Sequence, residues 1–155
     1  MKLRIVALAS RTPAWVEAGY AEYAKRLPRD FAIDLVELKP EPRGRGKTAL
    51  QVLAAEALRV RAACAGCRMV ALDERGRECT TRDLRDRLVR WRDEARDVAF
   101  AIGSADGLDE ALKRDAHDVV ALSKMTLPHA LVRVLLAEQL YRAVSLASGH
   151  PYHRD

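Results

Sequence analysis

The sequence predicts an α/β domain with a mostly parallel five-stranded sheet flanked by helices. Short apolar runs rich in β-branched residues alternate along the chain with longer segments whose apolar residues recur at helical spacing. Strands that alternate with helices in this way usually pair in parallel. The 155 residues provide for one core and contain no linker, repeat or low-complexity tract, so residues 1–155 are expected to form a single domain.

The predicted strands are buried apolar runs bounded by polar or Gly-containing segments. They cover residues 3–9, 31–38, 69–73, 98–102 and 118–122. The predicted helices begin after Thr caps or at a proline, and they carry apolar residues at helical spacing. They cover approximately residues 13–27, 48–66, 108–116 and 129–146, with one more helix that begins at Thr80 or Thr81 and includes Trp91.

The composition is that of a soluble globular protein and permits a polyanionic partner. Hydrophobic residues make up 49% of the chain, charged residues 32%, and the net charge is +5. Arg outnumbers Lys by 21 to 6, which suits phosphate and base contacts, although an Arg-rich codon bias would give the same ratio. No apolar run approaches the roughly 20 residues of a membrane span, and the N-terminus lacks a signal-peptide cleavage site. We therefore expect a cytoplasmic protein that does not contact membranes.

The three cysteines predict neither a disulfide scaffold nor a metal site. Cys64 and Cys67 form a lone CxxC pair, and Cys79 stands apart from it. A structural zinc ion needs four ligands, and no second CxxC or HxxxH motif supplies the others. A thioredoxin-like redox role is disfavoured because the pair follows a helix rather than a first strand.

Three segments at predicted strand ends are candidates for binding a ligand, because ligands of parallel sheets lie outside the carboxyl ends of the strands. They are residues 72–73, 103–107 and 122–128. Gly103 and Gly107 frame a turn that fits neither a dinucleotide nor a Walker motif and also reads as an ordinary strand-to-helix turn. In the third segment, backbone groups exposed between Ser123 and Pro128 are suited to the edge of a base and Met125 to its face. A plain connecting loop is the alternative there.

The last helix and the tail after it are unusual. The helix is apolar almost all round, which favours a partner subunit on the face that the sheet leaves open. Arg133 and Arg142 interrupt it, either as ion-paired residues or as contacts to an anion, and Glu138 lies one turn before Arg142. The tail groups polar residues suited to a site rather than to a frayed terminus. They are His150, Tyr152, His153 and Arg154.

Several motifs spread along the whole chain have a meaning in combination. They are residues 18–23, 43–44, 102–103, the run Ser-Lys-Met-Thr-Leu-Pro-His at 123–129, residues 138–143, and Pro-Tyr-His at 151–153. Together they resemble the RlmH family, bacterial 23S rRNA pseudouridine N3-methyltransferases of the SPOUT superfamily. The resemblance implies a homodimer and a SPOUT-type fold with a C-terminal trefoil knot, a feature that no general rule of folding predicts.

The resemblance also implies the cofactor, the substrate and the residues that contact them. S-adenosylmethionine would be the methyl donor, and a pseudouridine in a 23S rRNA hairpin loop, within the 70S ribosome, would accept the methyl group. The implied cofactor contacts are Leu72, Gly103, Leu122, Ser123, Lys124, Met125, Thr126 and Leu127. One departure is Ser104, where the family usually has a second glycine, so a Cβ there would narrow the cofactor pocket.

The expected chemistry assigns roles to the tail. His153 would accept the N3 proton of the base or only orient the base, Tyr152 would stack on it, and Arg142 and Arg154 would steady negative charge. The expected RNA contacts lie mainly in the basic loop over residues 39–47. They are Arg43, Arg45, Lys47 and, at the start of the last helix, His129. Two alternatives remain open: a SPOUT methyltransferase that acts on tRNA, and a non-catalytic RNA- or ribosome-binding module.

Overall fold

The computed structural model describes residues 1–44 and 46–153, and this part of the chain forms a five-stranded sheet in which every pair of neighbouring strands is parallel. The strands are β1 (Leu3–Leu8), β2 (Ile33–Leu38), β3 (Arg68–Glu78), β4 (Val98–Ile102) and β5 (Asp118–Ala121). Their order across the sheet is β2-β1-β4-β3-β5. The predicted α/β class and parallel sheet are confirmed. The trefoil knot stays a prediction, and the predictions for Arg45 and Arg154 lie outside the described residues.

The described residues contain five α-helices, of which four connect successive strands and the fifth follows β5. They are α1 (Ala14–Ala24), α2 (Ala49–Ala63), α3 (Thr81–Asp93), α4 (Glu110–Asp115) and α5 (His129–Ala147). Capping boxes begin two of them, with Thr48 paired to Gln51 and Thr80 paired to Asp83. The predicted Thr12 cap is wrong, because its hydroxyl donates to Glu37 instead.

The sheet separates two apolar layers. On one side Leu3, Ile5 and Phe100 pack with residues of α3 and α5, including Trp91 and Leu140. On the other side β-strand residues pack with α2 and α4. Helix α5 packs against both α1 and α3, so the near-continuous apolar surface that the sequence shows is largely covered within one chain.

Strand β3 departs most from its predicted bounds. It was expected to end at Asp73, yet it continues to Glu78 after an excursion, since Leu72 and Arg77 both pair with Val120 of β5. A Cβ at Gly76 would lie 2.8 Å from the Val120 backbone, so only glycine allows β3 to return against β5. The excursion carries Asp73, Glu74 and Arg75 out of the sheet at its carboxyl edge.

Other boundaries shift by a few residues at segment ends. Phe31 belongs to a short 3-10 turn (Arg29–Phe31) rather than to β2, and α1 ends at Ala24 instead of near Leu27. No helix in the described part of the chain is long and apolar enough to cross a lipid bilayer.

Candidate functional site

A cavity of about 490 Å³ opens at the carboxyl ends of β3, β4 and β5. Three segments form most of its wall, namely residues 72–75, 102–110 and 122–127, and α5 adds His129 and Val132. These are the three strand ends that the sequence singled out. Seven of the eight implied cofactor contacts line the cavity: Leu72, Gly103, Leu122, Ser123, Met125, Thr126 and Leu127.

Lys124 is the predicted contact that does not line the cavity. Its side chain is 77% exposed, and its ammonium lies 3.5 Å from a carboxylate oxygen of Glu78. Alternation along the loop turns it outward while Ser123 and Met125 face the cavity. Two hydrogen bonds hold the loop. Within it, the Met125 amide donates to the Ser123 hydroxyl, and the Thr126 hydroxyl donates to Glu74 of β3 at 2.6 Å.

The turn over residues 103–107 is closed on itself. A Cβ at Gly103 would lie 2.4 Å from the carbonyl carbon of Gly107, and Gly107 has a φ of +82°. Glycine at 103 is therefore required by the packing of the turn and not by free space for a ligand. The neighbouring Ser104 is buried, and its hydroxyl donates to Glu56 at 2.9 Å.

An ion pair supports the wall of the cavity between β3 and α4. The Lys113 ammonium lies 2.8 Å from Asp73, and the Arg75 amide donates to the other oxygen of that carboxylate at 2.8 Å. Burial by itself would raise the pKa of Asp73, but Lys113 and the Arg75 amide outweigh it and hold the pKa below its usual range. Asp73 is thus a charged structural anchor at the cavity.

The basic loop lies against its own chain rather than projecting freely. Arg43 pairs with Asp106 of the cavity turn at 2.6 Å, and Lys47 pairs with Glu41. Both predicted RNA contacts are therefore engaged by carboxylates in this structure. His129 is exposed at the first residue of α5, on the cavity wall.

The tail forms a cluster on the second half of α5. The Tyr152 ring lies 4.6 Å from that of Tyr141, and the Arg142 guanidinium lies 4.8 Å from the Tyr152 ring centre. Glu138 accepts hydrogen bonds from Arg142 and, at 3.1 Å, from the Tyr152 hydroxyl. Burial together with the Glu138 charge raises the pKa of Tyr152 to about 12. His153 is half-buried next to this cluster.

The cavity and the tail cluster lie at different ends of α5. Val132 is the last residue of the helix that lines the cavity, and Arg142 follows ten residues later. At a rise of about 1.5 Å per residue, the two positions are about 15 Å apart along the axis. Neither Arg142, Tyr152 nor His153 lines the cavity. Among the described residues, those predicted for catalysis and those predicted for the cofactor therefore form two separate groups within one chain.

Two buried charged residues lie near the site, one left open by the sequence analysis and one not assigned by it. The Arg133 side chain is 3% exposed, and its guanidinium donates to Glu37 at 2.6 Å and to Thr12 at 3.2 Å. This settles the open choice for Arg133 in favour of an ion pair. Glu56 is 2% exposed in α2; its spacing of four residues from Val52 and from Val60 was the signal that it lies on a buried face.

The fold and cavity define an α/β protein with a cavity at the carboxyl edge of a parallel sheet. A family model described as "Predicted SPOUT methyltransferase" matches residues 1–153. The chain is 54% identical to a protein of Ralstonia pickettii and 56% identical to one of Ralstonia nicotianae, with 99% of each chain covered. Both relatives are named "Ribosomal RNA large subunit methyltransferase H". The chain belongs to the SPOUT methyltransferase family.

Solved structures show the same fold at low sequence identity. A probable methyltransferase from Bordetella pertussis Tohama I matches with a TM-score of 0.59 and 20% identity, covering 92% of this chain and 95% of that one. A probable methylase family protein from Haemophilus influenzae Rd KW20 matches with a TM-score of 0.60 and 16% identity, covering 99% and 70%.

Proposed function

We propose that this protein is an S-adenosylmethionine-dependent methyltransferase that modifies N3 of a pseudouridine in a 23S rRNA hairpin loop, within the 70S ribosome. The observation that carries the proposal is the full-length identity of 54% and 56% to two proteins named as large-subunit rRNA methyltransferases. A ribosomal substrate implies a cytoplasmic protein.

The cavity fits the proposed cofactor in size and in character. Its volume of about 490 Å³ lies within the roughly 300–1,000 Å³ typical of small-molecule sites. Leu72, Leu122 and Leu127 provide apolar walls for a nucleobase, while the backbone of residues 103–107 and 122–127 offers hydrogen-bonding groups. When bound, S-adenosylmethionine supplies a methyl group already activated on a sulfonium centre. No cluster of metal-ligating side chains occurs among the described residues, and the proposal requires none.

The protein's own residues then have to align the target base and accept the proton that leaves N3. The N3–H bond of the base breaks, and we assign acceptance of its proton to His153. The new N3–methyl bond would form as the methyl–sulfur bond of the cofactor breaks, with the electron pair of that bond left on sulfur in S-adenosylhomocysteine. Tyr152 holds the base by stacking, and Arg142 and Arg154 stabilise negative charge on the base or on a nearby phosphate. The basic loop provides the first phosphate contacts once RNA replaces the carboxylate partners of Arg43 and Lys47.

The proposal includes a homodimer in which each tail completes the site of the partner. We place the tail at the partner's cavity because no residue of the described tail lines the cavity of its own chain. Trp15 at the start of α1 is 58% exposed, and Leu131 and Leu135 of α5 are only half-buried. An apolar surface with an exposed indole is the usual chemistry of a subunit interface. A trefoil knot, in which the C-terminal segment threads through a loop, belongs to the same proposal.

The test compares possible substrates directly. Purified protein and labelled S-adenosylmethionine are incubated with 70S ribosomes, 50S subunits, free 23S rRNA and bulk tRNA, all from cells that lack the gene. Mass mapping of the products should locate one methylpseudouridine in 23S rRNA, with 70S ribosomes as the best substrate. Methylation of tRNA would show the second candidate, a SPOUT tRNA methyltransferase. A protein that binds ribosomes but shows no calorimetric heat with S-adenosylmethionine and no methyl transfer would be a non-catalytic module.

A further inference from the structure

Glu56 is a buried carboxylate that the proposed chemistry does not use. It lies in the middle of α2 and is 2% exposed. One oxygen accepts a hydrogen bond from the Glu41 amide at 2.9 Å, and the other accepts one from the Ser104 hydroxyl at 2.9 Å. Among the described residues no Lys or Arg forms a salt bridge with it. A carboxylate in such a place is stable only while its hydrogen bonds are made, so both partners are held firmly.

The two partners of Glu56 belong to the two loops that matter for function. Glu41 lies in the basic loop over residues 39–47, and Ser104 lies in the turn over residues 103–107 that lines the cavity. One side chain therefore ties the expected RNA contact to the expected cofactor contact. Since Gly103 packs directly on Gly107, a displacement of Ser104 would move the turn as a unit.

Two surface contacts reinforce this link. Arg43 of the basic loop reaches Asp106 of the turn at 2.6 Å. Arg59, three residues after Glu56 on α2, donates to the Lys39 carbonyl and to the Glu41 carboxylate, both at 2.6 Å. The Arg43 and Arg59 side chains are 53% and 36% exposed and thus open to exchange with RNA phosphates. The Glu56 contacts are buried and remain when the surface contacts exchange.

We propose that Glu56 is a positioning residue that couples the basic loop to the cofactor cavity, so that cofactor and RNA strengthen each other's binding. The inference rests on the proposed function, since it takes S-adenosylmethionine as the ligand of the cavity and rRNA as the ligand of the loop. Coupling of this kind is reciprocal, and typical coupling changes each affinity by about 5- to 150-fold. The serine at 104 gives this chain a side-chain contact to Glu56 that glycine would not provide.

Three variants of α2 separate coupling from stability. Glu56→Ala removes both hydrogen bonds. Glu56→Gln retains them, because its carbonyl can accept from the Glu41 amide and its NH₂ group can donate to the Ser104 hydroxyl oxygen. Val60 is fully buried one turn further along α2. Val60→Ala weakens the packing of the helix but leaves both hydrogen bonds of Glu56 in place. It serves as the matched control for lost stability.

The experiment measures two affinities, each with and without the other ligand. Calorimetry gives the affinity for S-adenosylhomocysteine, and filter binding gives the affinity for 70S ribosomes from cells lacking the gene. In the wild type and in Glu56→Gln, each ligand should tighten the other by about fivefold or more. In Glu56→Ala this factor should fall to about one, while Val60→Ala should keep it despite a lower melting temperature.

Defined outcomes overturn the inference. If Glu56→Ala retains the wild-type coupling, or if Val60→Ala loses it to the same extent, Glu56 has only a structural role. If Glu56→Ala does not fold, Ser104→Ala breaks the link at its other end and should lose the coupling in the same way. A wild-type protein that binds neither S-adenosylhomocysteine nor ribosomes would contradict the proposed function itself, a result distinct from bound ligands without coupling.

Discussion

At the scale of single residues, Gly103 shows that a glycine at the edge of a cavity can be required by the protein's own backbone. A Cβ at this position would lie only 2.4 Å from the carbonyl carbon of Gly107. Such a contact cannot be relieved by the movement of a flexible side chain. Any side chain at 103 therefore has to open the turn over residues 103–107, and with it the wall of the cavity.

We expect Gly103→Ala to lower the free energy of unfolding by about 2–4 kcal/mol, because the turn must open to admit one methyl group. S-adenosylmethionine affinity should fall in the same variant. Gly149→Ala is the matched control, since its φ is +68° but nothing lies within 4 Å of the added Cβ. That change should lower stability by only about 1–2 kcal/mol through backbone strain and leave cofactor affinity unchanged. Urea denaturation and calorimetry measure both effects, and equal losses in the two variants would contradict the role of the turn.

The Asp73–Lys113 ion pair predicts a dependence of stability on pH. The pKa of Asp73 is lower in the folded protein than its usual value of 3.8, so the folded state favours the charged form. Its contribution is fully present above pH 3.8 and is lost as pH falls through the lowered pKa of the folded state. Asp73→Asn should therefore lower the free energy of unfolding by about 1–3 kcal/mol at pH 7. The difference from the wild type should shrink below about pH 4 in urea titrations, and a constant difference down to pH 2.5 would contradict this assignment.

Positions were predictable where they follow from order along the chain and not where they depend on distant partners. Residues 72–73, 103–107 and 122–128 were singled out because strand ends of a parallel sheet converge at one edge. Their assignment as cofactor contacts came from the family resemblance and stays a prediction. Glu56 was not assigned and Arg133 was left between two roles, since their partners Ser104 and Glu37 lie 48 and 96 residues away in the sequence. Lys124 does not line the cavity, because adjacent loop residues can face opposite sides.

At the scale of elements, the apolar pattern fixed the existence and order of strands but not the course of β3. The third strand was expected to end at Asp73 because Asp73 is the first charged residue after an apolar run. The strand resumes at Arg77 because Gly76 allows a close approach to Val120. The spacing of apolar residues in the sequence does not show such an approach. Similarly, Thr12 looked like an N-cap, yet its hydroxyl donates to Glu37 and accepts from the buried Arg133.

The tail after α5 is an element whose removal should separate chemistry from cofactor binding. Deletion of residues 152–155 should abolish methyl transfer while leaving S-adenosylmethionine affinity unchanged, because α5 contributes to the cavity only as far as Val132. Loss of the Tyr152 contacts should lower stability by about 1 kcal/mol. His153→Ala alone should slow transfer at least about 100-fold if it accepts the proton, and less than about tenfold if it only orients the base. Single-turnover assays and calorimetry provide the readouts, and a parallel loss of cofactor affinity and activity would contradict the separation.

At the scale of the whole molecule, the exposed apolar residues predict which face would meet a second copy in the proposed homodimer. Gly19 faces Val134, and the ring centres of Tyr23 and Tyr141 are 6.5 Å apart, so α1 and α5 run in the same general direction side by side. Trp15, one turn before Gly19, thus lies beside the first half of α5.

We expect light scattering to give about twice the 17.3 kDa of one chain. Trp15→Glu should give monomers, whereas Leu58→Glu, 68% exposed on the opposite side of the sheet, should remain dimeric. A wild-type mass near 17.3 kDa would refute the dimer.

The final prediction concerns which subunit supplies each half of the active site. One inactive variant lacks residues 152–155 but keeps its cavity, and a second, Thr126→Trp, keeps its tail but has a bulky ring at the cavity wall. Neither homodimer should transfer a methyl group. When the two chains are co-expressed, half of the dimers are mixed, and each mixed dimer combines one intact cavity with the partner's tail. Activity should then recover to about a quarter of the wild-type value, because one of two sites works in half of the dimers. If each tail served the cavity of its own chain, no mixed dimer would contain a complete site and the mixture would stay inactive. No residue of the described tail lines the cavity of its own chain, which favours recovery.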